Sequence, residues 1–401
     1  MSGYLPPHST EGQCSEIFQP PYSLKPSDIS GKDGDSEVYW LSLPDDVIPT
    51  TKTLISFGPS PKEELLSFQP LGFGLWGWGD VLSYGWGPSG GYDKKLDDDS
   101  VKGAWQHIWA RGDRVLLDVA EHYGYTDGFA ESKLGDLWSE SDSSGQLQRK
   151  RVSLATKFLP TPWRHPWKYP DIVLQALTGS LQRTRLGNID IYQLHGPSNY
   201  GFWPRWDVIC DGLVRAYETG NVQAIGVCNL NFEQVKYVWS YLKKRNIPLV
   251  SNQVEFSLVR QDAWRSGLIE NCHKLGVAVI AYSPLAVGRL SGKYSDAHPP
   301  RGNRNFGHVK WSKIQPIVDE LYRIGQSEGK TPSAVALNWV LCKGAIPIPT
   351  AKNKEQVEDC YQALGWRLSK PDEHRLDALG LTNAWDWNLL KHFQNWWWQQ
   401  G

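Results

Sequence analysis

Short apolar runs alternate with amphipathic segments along most of the chain, from about residue 71 to about residue 364. The apolar runs are nearly continuous, which is typical of strands that are buried on both faces of a parallel sheet. Seven of these runs lie at 115–118, 152–158, 189–195, 222–227, 249–254, 277–282 and 345–349. A strand near Leu71 precedes them, so about eight strand–helix units follow one another. This number favours a closed (α/β)8 TIM barrel over an open doubly wound sheet.

The segments between these runs have the features of helices. Val101, Ala104 and Ile108 form an apolar stripe that begins after the acidic pair Asp98 and Asp99. Apolar residues at this spacing lie on one face of a helix, and acidic residues favour its N-terminus. We predict helices at 98–112, 132–140, 170–187, 206–220, 231–245, 263–275, 312–328, 332–342 and 354–364.

The two ends of the chain differ in composition from the repeating region. Residues 1–65 are rich in Pro, Ser, Gly and Asp, and they predict an N-terminal extension that is partly disordered or lies over the domain. Residues 66–371 form the predicted barrel, and residues 372–401 form a Trp-rich C-terminal tail. We expect the Trp residues of the tail to dock on the barrel, and a partner interface and a membrane surface are the alternatives.

Three consecutive predicted strands end in side chains that can carry protons. Asp118 ends the first and Tyr123 follows it, Lys157 lies near the end of the second, and His195 ends the third. In a TIM barrel the chemistry lies at the C-terminal ends of the strands, where these side chains would meet. Each residue alone is more often an ordinary hydrogen-bonding group, but all four together indicate a proton-transfer site.

These four residue types suit a general acid. A phenol has an ordinary pKa of about 10, and a Lys ammonium beside it favours the phenolate, so we expect Lys157 to lower the pKa of Tyr123. Asp118 can hold Lys157 charged, and His195 can orient a substrate oxygen. The set can therefore protonate a carbonyl oxygen. No side chain supplies a hydride, so a nicotinamide cofactor is implied.

Composition and charge argue against several other classes of protein. The net charge of -1 leaves no basic excess of the kind that binds nucleic acid or an acidic membrane. The six cysteines are scattered without a CxxC pair, so we expect free thiols rather than a disulfide framework or a metal site. No apolar run approaches the roughly 20 residues of a membrane span. The N-terminus lacks signal and transit patterns, so we expect a cytoplasmic protein that acts on a small molecule.

Several motifs, in order along the chain, resemble those of the aldo-keto reductase family. They extend from about Leu71 to about Pro371 and comprise Gly72–Asp80, Asp118–Gly124, Ala155–Phe158, Asp190–His195, Ile225–Asn229, Ser251–Val254, Tyr282–Leu285 and Ile348–Asn353. Each motif is moderately specific, and their order makes the match highly specific. Cys228 stands where the family commonly has Ser, and Thr350 stands where Gly is common.

The resemblance implies an (α/β)8 barrel that reduces an aldehyde or ketone to an alcohol, with hydride from the nicotinamide of NADPH. It implies Tyr123 as the general acid, with Lys157 and Asp118 tuning it and His195 positioning the carbonyl. The implied cofactor-binding residues are Asn229 and Gln253 at the nicotinamide carboxamide, Tyr282 against its ring, Lys352 at the 2′-phosphate and Gln356 beside Lys352. Gly288 to Tyr294 resembles the loop that folds over the pyrophosphate.

Aromatic residues in two loops bear on the substrate. The loop at 81–95 contains Tyr84, Trp86 and Tyr92, and the loop at 196–206 contains four more aromatic residues. Such walls suggest a flat or apolar aldehyde or ketone, with pyridoxal, quinones and lipid-derived aldehydes all open. Two alternative functions remain. One is a cofactor-binding regulatory protein similar to the barrels that accompany potassium channels, and the other is a different TIM-barrel enzyme such as a lyase.

Overall fold

The chain is built around a parallel sheet of eight strands, with a smaller sheet before it. The computed structural model describes residues 31–33, 36–58, 66–110, 114–141, 149–161, 164, 168–197, 206–302 and 309–382. In chain order the strands are β1 (Gly31–Asp33), β2 (Ser36–Trp40), β3 (Thr53–Phe57), β4 (Leu66–Phe68), β5 (Phe73–Gly74), β6 (Val115–Asp118), β7 (Val152–Phe158), β8 (Ile189–Leu194), β9 (Val222–Cys228), β10 (Leu249–Glu255), β11 (Ala278–Tyr282) and β12 (Ala345–Pro347). From β5 to β12, each strand pairs in parallel with its neighbours in the chain.

The two edges of the eight-stranded sheet meet and close the barrel. The backbone N–H of Gly72 donates to the carbonyl oxygen of Pro347 at 3.1 Å, and that of Gly74 donates to Pro349 at 3.1 Å. A Cβ on Gly72 would lie 2.8 Å from the carbonyl oxygen of Leu116, so this approach requires glycine. The predicted (α/β)8 barrel is confirmed.

Helices connect the strands and surround the barrel. They are α1 (Asp98–Ala110), α2 (Phe129–Ser141), α3 (Asp171–Thr184), α4 (Trp206–Glu218), α5 (Phe232–Lys243), α6 (Asp262–Arg265), α7 (Leu268–Lys274), α8 (Trp311–Glu328), α9 (Pro332–Cys342), α10 (Lys354–Tyr361) and α11 (Lys370–Leu379). The stripe of Val101, Ala104 and Ile108 is buried, as predicted. The single helix predicted at 263–275 is wrong, because Gly267 has a φ of 76° and separates α6 from α7.

Strands β1 to β4 form the smaller sheet, which covers the N-terminal end of the barrel. Ile55 and Phe57 of this sheet pack in one apolar cluster with Leu116 and Ile191 from inside the barrel. Residues 36–57 of the predicted N-terminal extension therefore contribute to the packing of the barrel floor. The predicted boundary at residue 65 falls between β3 and β4 of this sheet, and residues 1–30 lie outside the described residues.

The C-terminal helix α11 crosses the predicted boundary between residues 371 and 372. The Trp-rich segment from Trp385 to Trp398 lies outside the described residues, so its docking on the barrel stays a prediction. Within the part of the chain that the structure describes, no helix combines the length and the apolar character needed to cross a membrane.

Candidate active site

The strand ends carry polar side chains into the interior of the barrel. Leu116 of β6 and Ala155 of β7 belong to the apolar cluster inside the barrel. Side chains along a strand alternate between its two faces, so the residues two positions further on, Asp118 and Lys157, point to the same interior. The apolar interior thus gives way to buried charge at the C-terminal end of the strands.

Lys157 is the centre of this polar group. Its side chain is fully buried, and its Nζ lies 2.5 Å from Oδ1 of Asp118. The same ammonium donates to the hydroxyl oxygen of Tyr123 at 2.9 Å and to the carbonyl oxygen of Val119 at 3.0 Å. An ammonium has three N–H groups, and all three have acceptors here. The predicted association of Asp118, Tyr123 and Lys157 is therefore present in the structure.

The pKa of Tyr123 differs from the sequence-based expectation. Burial raises the pKa of Tyr123 to about 12, and the nearby charge of Lys157 lowers it only in part. Burial also opposes the charge of Lys157, but Asp118 and Tyr123 outweigh it and raise the pKa of that ammonium above its ordinary value. The expectation that Lys157 would bring the pKa of Tyr123 below its ordinary value is wrong for the protein chain alone, because desolvation is the larger effect.

His195 lies beside the phenol. Its ring centre is 5.8 Å from that of Tyr123, and its backbone N–H donates to the carbonyl oxygen of Phe158 at 2.8 Å. Burial, together with the charges of Lys157 and His122, holds the pKa of His195 well below its ordinary value, so the imidazole is neutral. Its Nδ1 is buried and has no hydrogen-bond partner among the described residues.

The second oxygen of Asp118 binds two side-chain amides. Gln253 donates to Oδ2 at 2.7 Å, and Gln193 donates to the same atom at 3.0 Å. Sequence reasoning missed Gln193, although a signal was available. Ile191 faces the barrel interior, and the strand period places Gln193 and His195 on the same face.

Two of the predicted cofactor-binding residues contact each other next to His195. Asn229 has a φ of 60°, a conformation that Asn tolerates better than most residues. Its Nδ2 donates to the backbone oxygen of His195 at 3.1 Å, and its Oδ1 accepts from the hydroxyl of Tyr282 at 3.0 Å. The backbone N–H of Asn229 also donates to the carbonyl oxygen of Gln253 at 2.8 Å. Asn229, Gln253 and Tyr282 thus form one continuous wall.

Lys352 and Gln356 form a second group at the start of α10. The side chain of Gln356 accepts from the backbone N–H of Lys352 at 3.0 Å, and Asn353 caps the helix by accepting from the backbone of Gln356 at 3.0 Å. The Nζ of Lys352 lies 3.9 Å from Oδ2 of Asp93 and 5.4 Å from the ring centre of Tyr84. A cation and a helix N-terminus, both favourable for a phosphate, therefore lie together.

The aromatic residues of the first predicted substrate loop serve mainly in packing. Trp86 is buried, with its ring centre 5.5 Å from that of Phe129. The hydroxyl of Tyr92 donates to the backbone oxygen of Ser83 at 2.5 Å and also contacts that of Arg301 at 3.0 Å. In the second loop, residues 198–205 lie outside the described residues, and their contribution to a substrate wall stays a prediction.

The chain is similar to known proteins both in sequence and in fold. A family model described as the aldo/keto reductase family matches residues 70–380. The chain is 37% identical over 317 residues to a chloroplastic pyridoxal reductase from Arabidopsis thaliana, covering 78% of this chain and 83% of that protein. It is 26% identical over 292 residues to an L-glyceraldehyde 3-phosphate reductase from Escherichia coli, covering 67% of this chain and 81% of that protein.

Solved structures agree with this fold. A glycerol dehydrogenase from Gluconobacter oxydans superposes with a TM-score of 0.63 at 22% sequence identity, covering 81% of this chain and 96% of that chain. An aldose reductase from Schistosoma japonicum superposes with a TM-score of 0.59 at 20% identity, covering 82% of this chain and 94% of that chain. At this level of identity the likeness concerns the barrel fold alone.

Proposed function

The chain belongs to the aldo/keto reductase family of oxidoreductases, and on this premise we propose that it reduces an aldehyde or ketone to an alcohol with NADPH. Tyr123 is the proton donor in this proposal, Lys157 and Asp118 support it, and His195 positions the carbonyl. The observation that carries the proposal is the hydrogen bonding of Lys157, which leaves the hydroxyl proton of Tyr123 free to meet a substrate.

The direction of the Lys157 hydrogen bond decides what Tyr123 can do. The ammonium can only donate, so the phenol oxygen accepts from Lys157 at 2.9 Å. The hydroxyl hydrogen of Tyr123 must then point elsewhere, and the open side of the barrel is where a carbonyl oxygen would approach. With a pKa raised to about 12 by burial, Tyr123 keeps this proton at physiological pH and is ready to act as an acid.

Lys157 gains importance as the proton leaves Tyr123. A phenolate in a buried site is costly, and an ammonium at hydrogen-bond distance offsets much of that cost. Asp118 keeps the ammonium charged, since its carboxylate lies 2.5 Å from Nζ. The neutral imidazole of His195 can bind the carbonyl oxygen without competing as the acid, because burial holds the pKa of His195 well below its ordinary value.

The residues around this site fit a nicotinamide nucleotide. NADPH supplies the hydride when it is bound. Asn229 and Gln253 present amide groups suited to a carboxamide. Tyr282 presents an aromatic ring, and its hydroxyl donates to Oδ1 of Asn229 at 3.0 Å. The buried Nδ1 of His195, which has no partner among the described residues, marks a place where a bound group would complete the hydrogen bonding.

Lys352 and Gln356 fit the 2′-phosphate that distinguishes NADPH from NADH. A phosphate requires charge-assisted donors, and Lys352 stands at the N-terminus of α10. Asp93 already lies 3.9 Å from this ammonium, so a phosphate would have to compete with a carboxylate for it. We therefore propose a preference for NADPH that Asp93 partly offsets.

Among carbonyl compounds we propose pyridoxal as the first substrate to test. The support is the 37% identity to a pyridoxal reductase that matches over 78% of this chain. Pyridoxal is also a flat aromatic aldehyde, which is the shape that the sequence of the loop at 196–206 suggests. The predicted cytoplasmic location stays a prediction, and the name of this relative describes a chloroplastic protein.

The experiment that tests the proposal has two stages. Quenching of the intrinsic Trp fluorescence by NADPH and by NADH gives both dissociation constants, with tighter binding of NADPH expected. Oxidation of NADPH is then followed with pyridoxal, a quinone and a lipid-derived aldehyde as substrates. A protein that binds neither nucleotide, or that binds NADPH and reduces none of these carbonyls, would contradict the proposal.

A further inference from the structure

The two oxygens of Asp118 serve different partners. Oδ1 accepts from Lys157, which in turn contacts Tyr123, while Oδ2 accepts from the amides of Gln193 and Gln253 at 3.0 and 2.7 Å. All of these side chains are buried. Water therefore cannot easily take the place of a lost hydrogen-bond donor, and the loss of one is costly. One carboxylate therefore joins the proton-donating group to the proposed nucleotide wall.

The carboxylate determines how both amides are oriented. An ionised carboxylate only accepts hydrogen bonds, so Gln193 and Gln253 must each turn an NH2 group toward Asp118. The amide oxygen of Gln193 then faces Nε2 of Gln253 at 3.4 Å and the thiol of Cys228 at 3.5 Å. Burial raises the pKa of the Cys228 thiol, which keeps its S–H available as a donor.

This arrangement also determines what Gln253 can offer to a ligand. Its NH2 group has two hydrogens, and these meet Asp118 at 2.7 Å and the oxygen of Gln193 at 3.4 Å. The amide oxygen of Gln253 is the atom left to face outward. An outward amide oxygen is complementary to the NH2 group of a nicotinamide carboxamide.

We propose that Gln193 is a positioning residue that holds Asp118 and Gln253 in a single arrangement, so that the proton donor and the nucleotide wall are aligned together. Gln193 acts through these two residues, and neither of its polar atoms contacts Tyr123. The inference rests on the proposed reductase function. It assigns a specific role to a position of β8 where a side chain that only fills space would otherwise be sufficient.

Two substitutions of Gln193 are expected to differ in their dependence on pH. In Gln193→Glu, a protonated Glu still donates to Asp118, but an ionised Glu repels it, so activity relative to the unaltered protein falls as pH rises. In Gln193→Met, Asp118 loses a donor and Gln253 loses an acceptor, but no titratable group is introduced, so relative activity is lowered by the same factor at every pH. The other titratable groups that face Asp118 are Lys157, Tyr123 and Cys228, and they are the same in both variants.

The measurement is kcat and KM for NADPH and for the aldehyde, from about pH 5.5 to about pH 9. We expect kcat of Gln193→Met to be about tenfold lower across this range, as for one lost hydrogen bond to a charged group, and the loss in Gln193→Glu to grow as pH rises. KM for NADPH is expected to rise in both variants, because Gln253 loses the partner that orients it. A packing role alone would leave KM for NADPH unchanged in Gln193→Met, whose side chain has a similar length, and would give Gln193→Glu the same ratio of activities at every pH.

Gln261→Glu is a matched control. Gln261 is fully buried, and its oxygen accepts from Nε of Arg265 at 2.7 Å, so a Glu there acquires an ion pair outside the proposed site. Its activity ratio is expected to be independent of pH. If Gln193→Glu does not fold, as judged by thermal unfolding at each pH, the kcat of Gln193→Met and its KM for NADPH decide alone.

The outcomes separate this inference from the proposed function. An unaltered protein that neither binds NADPH nor reduces a carbonyl would overturn the reductase and the role of Gln193 together. An active unaltered protein, combined with a pH-independent ratio for Gln193→Glu or an unchanged KM for NADPH in Gln193→Met, would overturn the role of Gln193 alone. A ratio that falls as pH rises in Gln193→Glu, together with a raised KM for NADPH in Gln193→Met, supports the inference.

Discussion

Lys157 and Lys343 both have buried ammonium groups, and their partners differ. The Nζ of Lys343 lies 2.7 Å from Glu373 and 2.7 Å from Asp377, so two carboxylates surround one cation. The ring of Trp264 lies 4.2 Å from the same ammonium. Lys157 has one carboxylate and one backbone oxygen, and its third N–H meets a phenol.

The difference separates a structural lysine from a chemical one. Lys343 follows α9, and both of its carboxylates belong to α11, so the ion pairs join two helices on the outside of the barrel. Both ion-pair partners of Lys343 are carboxylates, and neither takes part in the proposed reaction. Lys157 contacts a group that becomes an anion only when it gives up a proton, and this makes its charge useful during a reaction.

The largest expected effect comes from removing the hydroxyl group of Tyr123, the partner of Lys157 that can give up a proton. Tyr123→Phe keeps the ion pair of Lys157 with Asp118 and removes the proton that Lys157 would help to release. We expect carbonyl reduction to fall by about 10²- to 10⁴-fold, the usual contribution of a general acid. The NADPH dissociation constant measured by Trp quenching should change little. A large loss of nucleotide binding would contradict the assigned role.

The second-largest effects are expected when Lys157 or Lys343 is replaced, each in its own variant, by methionine. Lys343→Met removes the cation that Glu373 and Asp377 share and leaves Glu373 only Lys370 at 3.1 Å. We expect the free energy of unfolding to fall by about 3 kcal/mol. The activity of the folded protein should remain close to that of the unaltered protein, because Lys343 lies outside the proposed site. Lys157→Met should lose most activity at conditions where it is still folded. Urea unfolding and kcat, measured on the same samples, check both statements.

Similar losses of kcat in the two methionine variants, after correction for the folded fraction, would remove the distinction between a structural and a chemical lysine.

Lys352 is a third lysine for this comparison. In the proposed function its anionic partner changes from Asp93 to the 2′-phosphate of NADPH. Its side chain is 14% exposed, and Oδ2 of Asp93 lies 3.9 Å from its Nζ. We expect Lys352→Ala to weaken NADPH binding about tenfold or more, since a charge-assisted contact to phosphate is lost. NADH lacks that phosphate and should bind nearly as before. Equal weakening of both nucleotides in a fluorescence titration would separate Lys352 from the 2′-phosphate.

The smallest expected effect is a gain. Asp93→Asn removes the competing charge beside Lys352 and keeps the shape of the side chain. Because the pair is long at 3.9 Å and the Asp93 side chain is 36% exposed, it contributes little, and we expect NADPH to bind about twofold tighter. NADH serves as the control ligand and should be unaffected. Weaker NADPH binding in this variant would mean that Asp93 supports the nucleotide site by positioning Lys352 rather than by competing for it.

Much of the fold could be predicted from the sequence, because the alternation of apolar runs and amphipathic helices is a local pattern. The eight parallel strands and the closure at Gly72 and Gly74 follow that prediction. The small sheet at the barrel floor could not be predicted, since its strands are short and lie within a polar composition. The break at Gly267 was missed because a glycine within a helical pattern is often tolerated.

The sequence predicts which residues belong to the candidate site, but it predicts their arrangement only in part. Asp118 and Tyr123 both contact Lys157, as expected from their positions at neighbouring strand ends. Gln193 lies on the same inward face as Ile191, and the strand period indicates this, but spacing alone does not show which groups the amide meets. Its meaning appears only when Gln253, from two strands further along, reaches the same carboxylate.

What the sequence alone determined is the set of strands, their order, and the polar groups at their ends, since these depend on residues that are close in the chain. The tertiary structure decided the electrostatics. Whether Tyr123 keeps its proton depends on how fully the barrel buries it, and burial raises its pKa to about 12 despite the adjacent ammonium. Desolvation and charge act through space, so their balance is determined by the folded environment and cannot be obtained from spacing along the chain.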